Sequence, residues 1–281
     1  MSDPSYLQKV STQVRRDIIR MVHGAASGHP GGSLGACDYL VTLFHEIMEY
    51  DPEHFEMDGK GEDIFILSNG HISPALYSVL ARAGYFPVSE LGSFRSLGSR
   101  LQGHPCTDKG LPGVRVSTGS LGQGLSVAVG AALSKKLNGD PKRVFCLMGD
   151  GELQEGQVWE AVMYAAANKV DNLIAAVDYN GKQIDGSLDD VLAMGDLKAK
   201  WEAFGWKVLD AKGNNIEDLL KVTREAISYT DRGTPIVILL HTEMGYGVDY
   251  MMGTHKWHGV APNDDEAARA LKQLEETLGD Y

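Results

Sequence analysis

The sequence predicts a single α/β domain with a doubly wound, mostly parallel sheet and helices on both faces. Three observations lead to this fold class. Short apolar runs typical of buried strands alternate with helical patterns along the chain. The 281 residues are enough for one large α/β domain. No linker-like tract separates two parts of the chain, so residues 1–281 are expected to form one domain.

The chain is predicted to begin with a helix over residues 5–22, because its apolar positions recur at helical spacing. The charged residues of this helix are expected to form a solvated face: Arg15, Arg16, Asp17 and Arg20. A loop of small residues follows over 25–33. Ser33 at its end is expected to cap a helix over 34–49.

The remaining elements follow from apolar runs and helical periodicity. Strands are predicted over 63–68, 144–148, 173–177, 205–209 and 235–240. Helices are predicted over 73–83, 125–137, 158–166, 216–230 and, as a charged amphipathic terminal helix, about 264–279. Residues 91–116 and 245–259 are glycine-containing irregular stretches, and long loops of this kind are usually functional.

Two polar turns follow neighbouring strands of the central βαβ unit. Gly149, Asp150 and Gly151 come directly after the strand over 144–148, and Asn180 follows the next strand, thirty residues after Asp150. A right-handed crossover places both turns at the carboxyl edge of one sheet, where open α/β sheets bind ligands. A carboxylate and an amide oxygen at this edge suit a hard cation such as Mg²⁺, which also takes phosphate oxygens.

Composition narrows the possible partners and compartments. The formal net charge of −12 argues against a general nucleic-acid or anionic-membrane surface. Cys37, Cys106 and Cys146 form no C-x-x-C pair, so a reducing cytoplasm is expected. No apolar run is long enough to span a bilayer, and the polar N-terminus is unlike a signal peptide.

The sequence contains nine histidines, and several of them are candidates for a functional site. Four lie in Gly/Pro loops next to strands and are expected to gather at one sheet edge: His29, His71, His104 and His258. Imidazoles both donate and accept hydrogen bonds and titrate near neutral pH, which suits a substrate with many hydroxyl groups. His45 and His54 are interpreted as ordinary residues, whereas His241 is either a ligand contact or a polar strand end. No spacing supports a zinc site.

The two central turns resemble the thiamine diphosphate signature, and their surroundings resemble transketolase in particular. The segments 149–156 (GDGELQEG) and 178–186 (DYNGKQIDG) carry this likeness. Further segments resemble successive transketolase segments in the same order: 28–31 (GHPG), 67–71 (LSNGH), 94–105, 118–124 (TGSLGQG) and 255–259 (HKWHG). The resemblance implies the thiamine diphosphate-binding fold, in the form of its diphosphate-binding (PP-type) domain.

The resemblance implies a cation and diphosphate site at the strand ends. Asp150 and Asn180 would bind Mg²⁺ or Ca²⁺ through their side chains, and Lys182 would bind it through its backbone carbonyl. Gly151 and Asn180 would contact the diphosphate of thiamine diphosphate. These four residues lie in the two segments that carry the strongest likeness.

The rest of the cofactor site is implied in the same way. Gly119 and Leu121 would meet the aminopyrimidine through backbone groups, and Ile184 would pack against the cofactor. His71 and His258 would lie near the diphosphate and the reacting carbon. All five positions belong to segments that match transketolase in order along the chain.

The resemblance also implies substrate contacts and a missing partner. His29 and His104 would contact substrate hydroxyls and help to move protons, and Glu155 would belong to an acidic network between paired active sites. No segment resembles the second half of transketolase, which binds the pyrimidine and supplies the glutamate for its N1′ atom. The expected protein is therefore the N-terminal subunit of a split transketolase, inactive alone and assembled as α₂β₂ with a C-terminal subunit. Its expected substrates are sugar phosphates.

Three alternatives remain open from the sequence. A deoxyxylulose-phosphate synthase-like subunit and the α subunit of a 2-oxoacid dehydrogenase share the cofactor pattern. The first is disfavoured by the Leu-Gln-Glu-Gly continuation that follows the Gly-Asp-Gly turn, and the second by the set of His29, His71 and His104. A non-catalytic, cofactor-binding regulatory subunit is the third alternative. Plain nucleotide binding is weaker, because no G-x-G-x-x-G follows a strand and opens a helix.

Overall fold

A five-stranded parallel sheet forms the centre of the molecule, which is described from a computed structural model that covers residues 3–281. Its strands are β1 (Ile64–Leu67), β2 (Val144–Gly149), β3 (Leu173–Tyr179), β6 (Lys207–Lys212) and β7 (Ile236–His241). They lie in the order β1-β2-β3-β7-β6, and every neighbouring pair is parallel. A separate antiparallel hairpin joins β4 (Lys182–Gln183) and β5 (Gly186–Ser187).

Nine helices are present in the described part of the chain. They are α1 (Pro4–Gly24), α2 (Pro30–Thr42), α3 (Ser73–Arg82), α4 (Gly124–Leu137), α5 (Gly156–Ala167), α6 (Leu188–Leu192), α7 (Leu197–Ala203), α8 (Ile216–Ser228) and α9 (Asp264–Gln273). A π-helical turn, Leu43–Ile47, continues α2, and short 3₁₀ turns occur at Gly70–Ile72, Val88–Ser93, Thr107–Lys109 and Gly151–Gln154. Within residues 3–281, no helix has the length and apolar character needed to cross a bilayer.

The sheet is covered by helices on both faces, as predicted. Successive strand residues point to opposite faces, so Phe65 and Leu67 pack in one core while Ile64 and Ile66 pack in the other. The first core lies under α1, α2, α3 and α8, and the second lies under α4, α5 and α7. The strands are buried on both faces, which explains their continuous apolar runs.

The charged side of α1 is not the solvated face that the sequence suggested. Arg15, Arg16 and Asp17 are only 2%, 8% and 0% exposed, because α1 packs against other helices and the C-terminal residues. The guanidinium of Arg15 pairs with Asp38 at 2.6 Å, and Asp17 accepts from Arg82 Nε at 2.5 Å. Buried charges of this kind are tolerated because they are paired.

The helix expected over 34–49 begins earlier and ends earlier. It starts at Pro30, with His29 as its N-cap residue, and proline is well suited to the first helical turn. The Ser33 hydroxyl donates to the backbone carbonyl of His29 at 2.6 Å and caps nothing. Position 31 in this first turn requires glycine, because a Cβ there would lie 2.8 Å from the carbonyl oxygen of Trp257.

The terminal helix ends at Gln273, whereas the sequence predicted it to about residue 279. Beyond it, the chain runs along α1 and bonds to side chains there. The Gln13 Oε1 atom accepts from the backbone N–H groups of Thr277 at 2.9 Å and Leu278 at 3.0 Å. Arg16 donates to the carbonyl of Leu274 at 2.5 Å. These bonds replace the helical ones, so the helix has no need to continue.

Candidate active site

The two polar turns lie side by side at the carboxyl edge of the sheet. The strands β2 and β3 are neighbours, and Gly149 is in register with Asp178. Each turn begins directly after its strand, and the backbone N–H of Gly181 donates to Asp150 Oδ2 at 2.6 Å. The predicted pair of Asp150 and Asn180 is therefore brought together by the parallel pairing of two strands.

Hydrogen bonds fix the orientation of both side chains. Asp150 Oδ1 accepts from the N–H of Gly151 at 2.7 Å. Asn180 Oδ1 accepts from the N–H of Lys182 at 2.9 Å, and its Nδ2 donates to Asp178 Oδ2 at 3.0 Å. Because a carboxylate only accepts, Asp178 determines which end of the Asn180 amide is the oxygen.

Two buried carboxyl groups lie at this edge and disfavour each other's charged form. Asp150 and Asp178 are each 2% exposed. Burial, together with the neighbouring Asp178, raises the pKa of Asp150 to about 7. Burial raises the pKa of Asp178 to about 6, against hydrogen bonds from Thr242 and Asn180 that lower it. A cation beside these groups would offset both the burial of charge and the mutual repulsion.

The donor set fits Mg²⁺ better than a transition metal. Among residues 3–281, no three His, Cys, Asp or Glu side chains converge as a metal site. A cation here would instead use one carboxylate, one amide and backbone oxygen, which suits a hard ion that keeps phosphate and water ligands. The Lys182 ammonium is directed to Glu243 Oε1, 3.2 Å away, so it does not neutralise Asp150.

A cavity of about 230 Å³ opens at this edge. All residues that the resemblance assigned to the cofactor line it: His71, Gly119, Leu121, Asp150, Gly151, Asn180, Ile184 and His258. His29 and Lys182 line it as well. The sequence therefore predicted a set of residues, distant along the chain, that the fold gathers around one space.

The four loop histidines form a cluster, of which His29, His71 and His258 line this cavity and His104 lies outside its lining, next to His29. The ring centroids of His29 and His71 are 5.1 Å apart, and those of His71 and His258 are also 5.1 Å apart. His29 lies 5.8 Å from His258 and 6.3 Å from His104, measured between ring centroids. The strand end after β1 supplies His71, the N-cap of α2 supplies His29, and the two long loops supply the others.

Burial keeps these imidazoles neutral near pH 7. Burial, with the charges of neighbouring groups, lowers the pKa of His29 to about 4 and that of His71 to about 3. The pKa values of His104 and His258 are also lowered, chiefly by burial. The Nδ1 atoms of His29 and His258 are buried and have no hydrogen-bond partner within residues 3–281. Such atoms are available to a ligand.

Close backbone approach brings His104 to the cluster. Gly119 has a φ of +130°, and a Cβ at this position would lie 2.6 Å from Cδ2 of His104. A larger residue would push the loop over 118–124 away from His104. Because residue 119 is glycine, the segment that is expected to contact the aminopyrimidine packs directly against His104, which is expected to contact the substrate.

Some candidate residues lie outside the cavity. Glu155 is exposed and lies against Gly122, where an added Cβ would be 2.8 Å from Glu155 Cβ. His241 pairs with Asp210 at 3.0 Å, which favours a polar strand end over a ligand contact, the two interpretations that the sequence left open. His23 and His54 likewise pair with acidic residues away from the cluster: Asp264 and Asp51.

The sequence interpretation missed Glu152. This carboxylate is 2% exposed and accepts from the Ser68 hydroxyl, from the N–H of Gly122 at 2.8 Å and from the N–H of Gly149 at 3.1 Å. It therefore connects the ends of β1 and β2 to the loop before α4. A charged residue directly after Gly-Asp-Gly was the only available indication. Asn69, 1% exposed, also lines the cavity, and its buried Oδ1 atom has no partner in the described chain.

Comparison with known proteins decides the family. The family profile described as "Transketolase, thiamine diphosphate binding domain" matches residues 7–277. The chain belongs to the transketolase family. An apulose-4-phosphate transketolase subunit from Phocaeicola vulgatus is 36% identical over 272 residues, which are 97% of this chain and 95% of that relative. The prediction of an N-terminal transketolase subunit with thiamine diphosphate as cofactor is thereby confirmed.

Single-chain transketolases match over less than half of their length. Human transketolase is 36% identical over 271 residues, which are 95% of this chain and 42% of that protein. The transketolase structure from Leishmania mexicana superimposes with a TM-score of 0.89 at 32% identity, and it covers 100% of this chain and 42% of its own. These relatives confirm the predicted fold class and the predicted transferase activity.

Proposed function

We propose that this chain is the diphosphate-binding subunit of a two-subunit transketolase that moves a two-carbon ketol unit from a ketose phosphate to an aldose phosphate. The observation that carries the proposal is that the Asp150–Asn180 edge meets His29, His71 and His258 in one cavity, with His104 beside them. One end of this cavity suits a cation with a diphosphate, and the other suits a hydroxylated substrate.

Three residues would hold the cation, which we take to be Mg²⁺, with Ca²⁺ as a substitute of the same ligand preference. Asp150 and Asn180 would bind through side-chain oxygens and Lys182 through its backbone carbonyl. Gly151 and Asn180 would contact the diphosphate. This assignment is supported by the raised pKa of the buried Asp150 carboxyl, which a cation would lower by favouring its charged form.

The remaining cavity residues would hold the organic part of the cofactor. Gly119 and Leu121 would face the aminopyrimidine with backbone groups, and Ile184, which is 58% exposed, would cover the cofactor at the rim. His71 and His258 would stand by the diphosphate and the reacting carbon. When bound, thiamine diphosphate supplies a centre that stabilises the carbanion needed to break and form a carbon–carbon bond beside a carbonyl.

His29 and His104 would bind substrate and move protons at its hydroxyl oxygens. Neutral imidazoles have one donor and one acceptor nitrogen, so each can hold a hydroxyl group and pass a proton to or from it. The free, buried Nδ1 of His29 supports this role, as does the neutrality of both rings near pH 7.

A second polypeptide is expected to complete the active site. The Phocaeicola relative is named as one subunit of its enzyme, and single-chain transketolases extend well beyond the matched part. We propose that the partner carries the pyrimidine-binding domain and that two copies of each subunit form an α₂β₂ assembly. The exposed position of Glu155 is compatible with a network between two active sites. We also propose a cytoplasmic location and a place in pentose phosphate metabolism.

The partner requirement is tested by assaying the purified chain with thiamine diphosphate, Mg²⁺, a ketose phosphate and an aldose phosphate, with and without the partner. We expect turnover only in the mixture. The matched control is His104→Ala, which should assemble with the partner as the wild type does but turn over far more slowly. Clear turnover by the chain alone would contradict the proposal.

A further inference from the structure

Arg95 is an arginine beside the histidine cluster without an acidic partner in the described chain. It lies in the loop over 91–116, and its side chain is half-buried. Nη1 donates to Ser27 Oγ at 2.6 Å, while Nε is buried and unpaired within residues 3–281. A buried guanidinium donor without an acceptor is costly, so this group is suited to a ligand that brings one.

Two backbone features fix where the Arg95 side chain lies. Its φ is +57°, a left-handed conformation that is unfavourable for a residue with a side chain. The guanidinium lies against Gly103, where an added Cβ would be 2.8 Å from Nε and 2.9 Å from Cζ. Gly103 directly precedes His104, so the absence of a side chain at 103 lets the cation lie next to this histidine.

The charge of Arg95 acts on two members of the histidine cluster. It is among the groups that lower the pKa values of His29 and His104, after the larger effect of burial. His29 lines the cavity, whereas His104 lies 6.3 Å further on between ring centroids. Arg95 is not among the groups that shift the pKa values of His71 and His258, so it lies on the side of the cluster formed by His29 and His104.

We propose that Arg95 is a further substrate-binding residue that donates hydrogen bonds to sugar oxygens distant from the reacting carbon. The inference rests on the proposed function. A guanidinium only donates, so it recognises hydroxyl or phosphate oxygens as acceptors. We expect a two-carbon substrate to end before it reaches Arg95, and a longer sugar to place its distant oxygens near His104 and Arg95.

The test varies the length of the acceptor while the donor stays constant. The complex with its partner subunit is assayed with hydroxypyruvate as donor and either glycolaldehyde or a five-carbon aldose phosphate as acceptor. For Arg95→Met, we expect the KM of the long acceptor to rise about tenfold, which is typical of one lost hydrogen bond from a charged donor, and that of glycolaldehyde to stay unchanged. The matched control is Arg100→Met in the same loop, whose guanidinium already pairs with Glu90 at 2.8 and 2.7 Å, and it should change neither KM.

A second variant tests the geometry without removing the arginine. In Gly103→Ala, the new Cβ would displace the guanidinium, so the same length-dependent rise in KM is expected, and the double variant should add nothing to Arg95→Met. Equal effects on both acceptors, or none on either, would overturn the inference. Absence of turnover by the wild-type complex with both acceptors would instead overturn the proposed function.

Discussion

The two ends of the cavity are built differently. At the cation end, both oxygens of Asp150 and both polar atoms of Asn180 already have hydrogen-bond partners, most of them backbone N–H groups at the strand tips. At the histidine end, the Nδ1 atoms of His29 and His258 have none within residues 3–281. The first end sits on the sheet, and the second is assembled from loops.

This difference indicates what each end needs. Side chains held by neighbouring backbone are ready for an ion and require little rearrangement on binding. Buried polar atoms without partners carry a free-energy cost that a ligand relieves. We therefore expect the cation end to function in the isolated chain and the histidine end to be completed by cofactor, substrate and partner.

The largest expected effect comes from removing the carboxylate at the cation end. Asp150→Ala should weaken Mg²⁺-dependent binding of thiamine diphosphate by more than about 100-fold, because even outer-shell substitutions at metal sites cost about 10–100-fold. Isothermal titration calorimetry of the chain measures it. Asp210→Asn, which changes a partly exposed carboxylate paired with Lys198, is the control. Unchanged affinity in Asp150→Ala would show that the cation binds elsewhere.

The histidine end should lose rate and keep cofactor. For His29→Ala, we expect kcat of the complete enzyme to fall on the order of 100-fold, within the range for loss of a proton-transferring group. Cofactor affinity should stay the same, since the Asp150 edge is untouched. His54→Ala, at an exposed histidine paired with Asp51, is the control for steady-state kinetics. A parallel loss of cofactor binding would remove the distinction between the two ends.

The buried His71 imidazole should lower the stability of the isolated chain in acid, whereas the raised pKa values of Asp150 and Asp178 act in the opposite direction, so the effect is measured as the difference between the wild type and a His71 variant. The pKa of His71 is about 3 in the folded chain and 6.5 ordinarily, so between these values the unfolded chain binds the proton and the folded chain does not. The contribution of this residue to stability is therefore full above pH 6.5 and falls as the pH decreases, by about 2 kcal/mol at pH 5. Urea unfolding at pH 7.5 and 5.0 measures it. His71→Asn should reduce the loss, and an unchanged loss would contradict the assignment.

The smallest expected effect is at the connection between the ends. In Glu152→Gln, the amide oxygen can still accept from Ser68 and Gly122, but its NH₂ group would oppose the N–H of Gly149. We expect a loss of about 1–2 kcal/mol in the free energy of unfolding, the cost of one buried unpaired donor. Glu160→Gln on the exposed side of α5 is the control. Equal stability of the two variants would mean that Glu152 is not needed to hold these segments.

The sequence was sufficient where the geometry follows from strand pairing. Asp150 and Asn180 each follow an apolar run, and two parallel strands linked by a helix end at the same edge, so their meeting could be derived from the spacing alone. The positions of Gly119, Leu121 and Ile184 could not be derived in this way. They were predicted only because their segments resemble a known family in order along the chain.

Contacts between residues far apart in the sequence explain the features that the sequence analysis did not predict. A charged side on a helix usually faces water, yet Arg15 and Asp17 are buried because Asp38 and Arg82 come from other helices to meet them. The end of α9 depends on Gln13, more than 250 residues away in sequence. Glu152 is defined by three partners in three segments. None of these contacts has a local pattern.

The most direct test of this account is a crystal structure of the complex of both subunits with thiamine diphosphate and Mn²⁺, in which anomalous scattering locates the ion. We expect a single peak at about 2.0–2.2 Å from side-chain oxygens of both Asp150 and Asn180, with the diphosphate as a further ligand. An ion bound away from either of these side chains, with the diphosphate beside it, would contradict the assignment of the cation end and the proposal built on it.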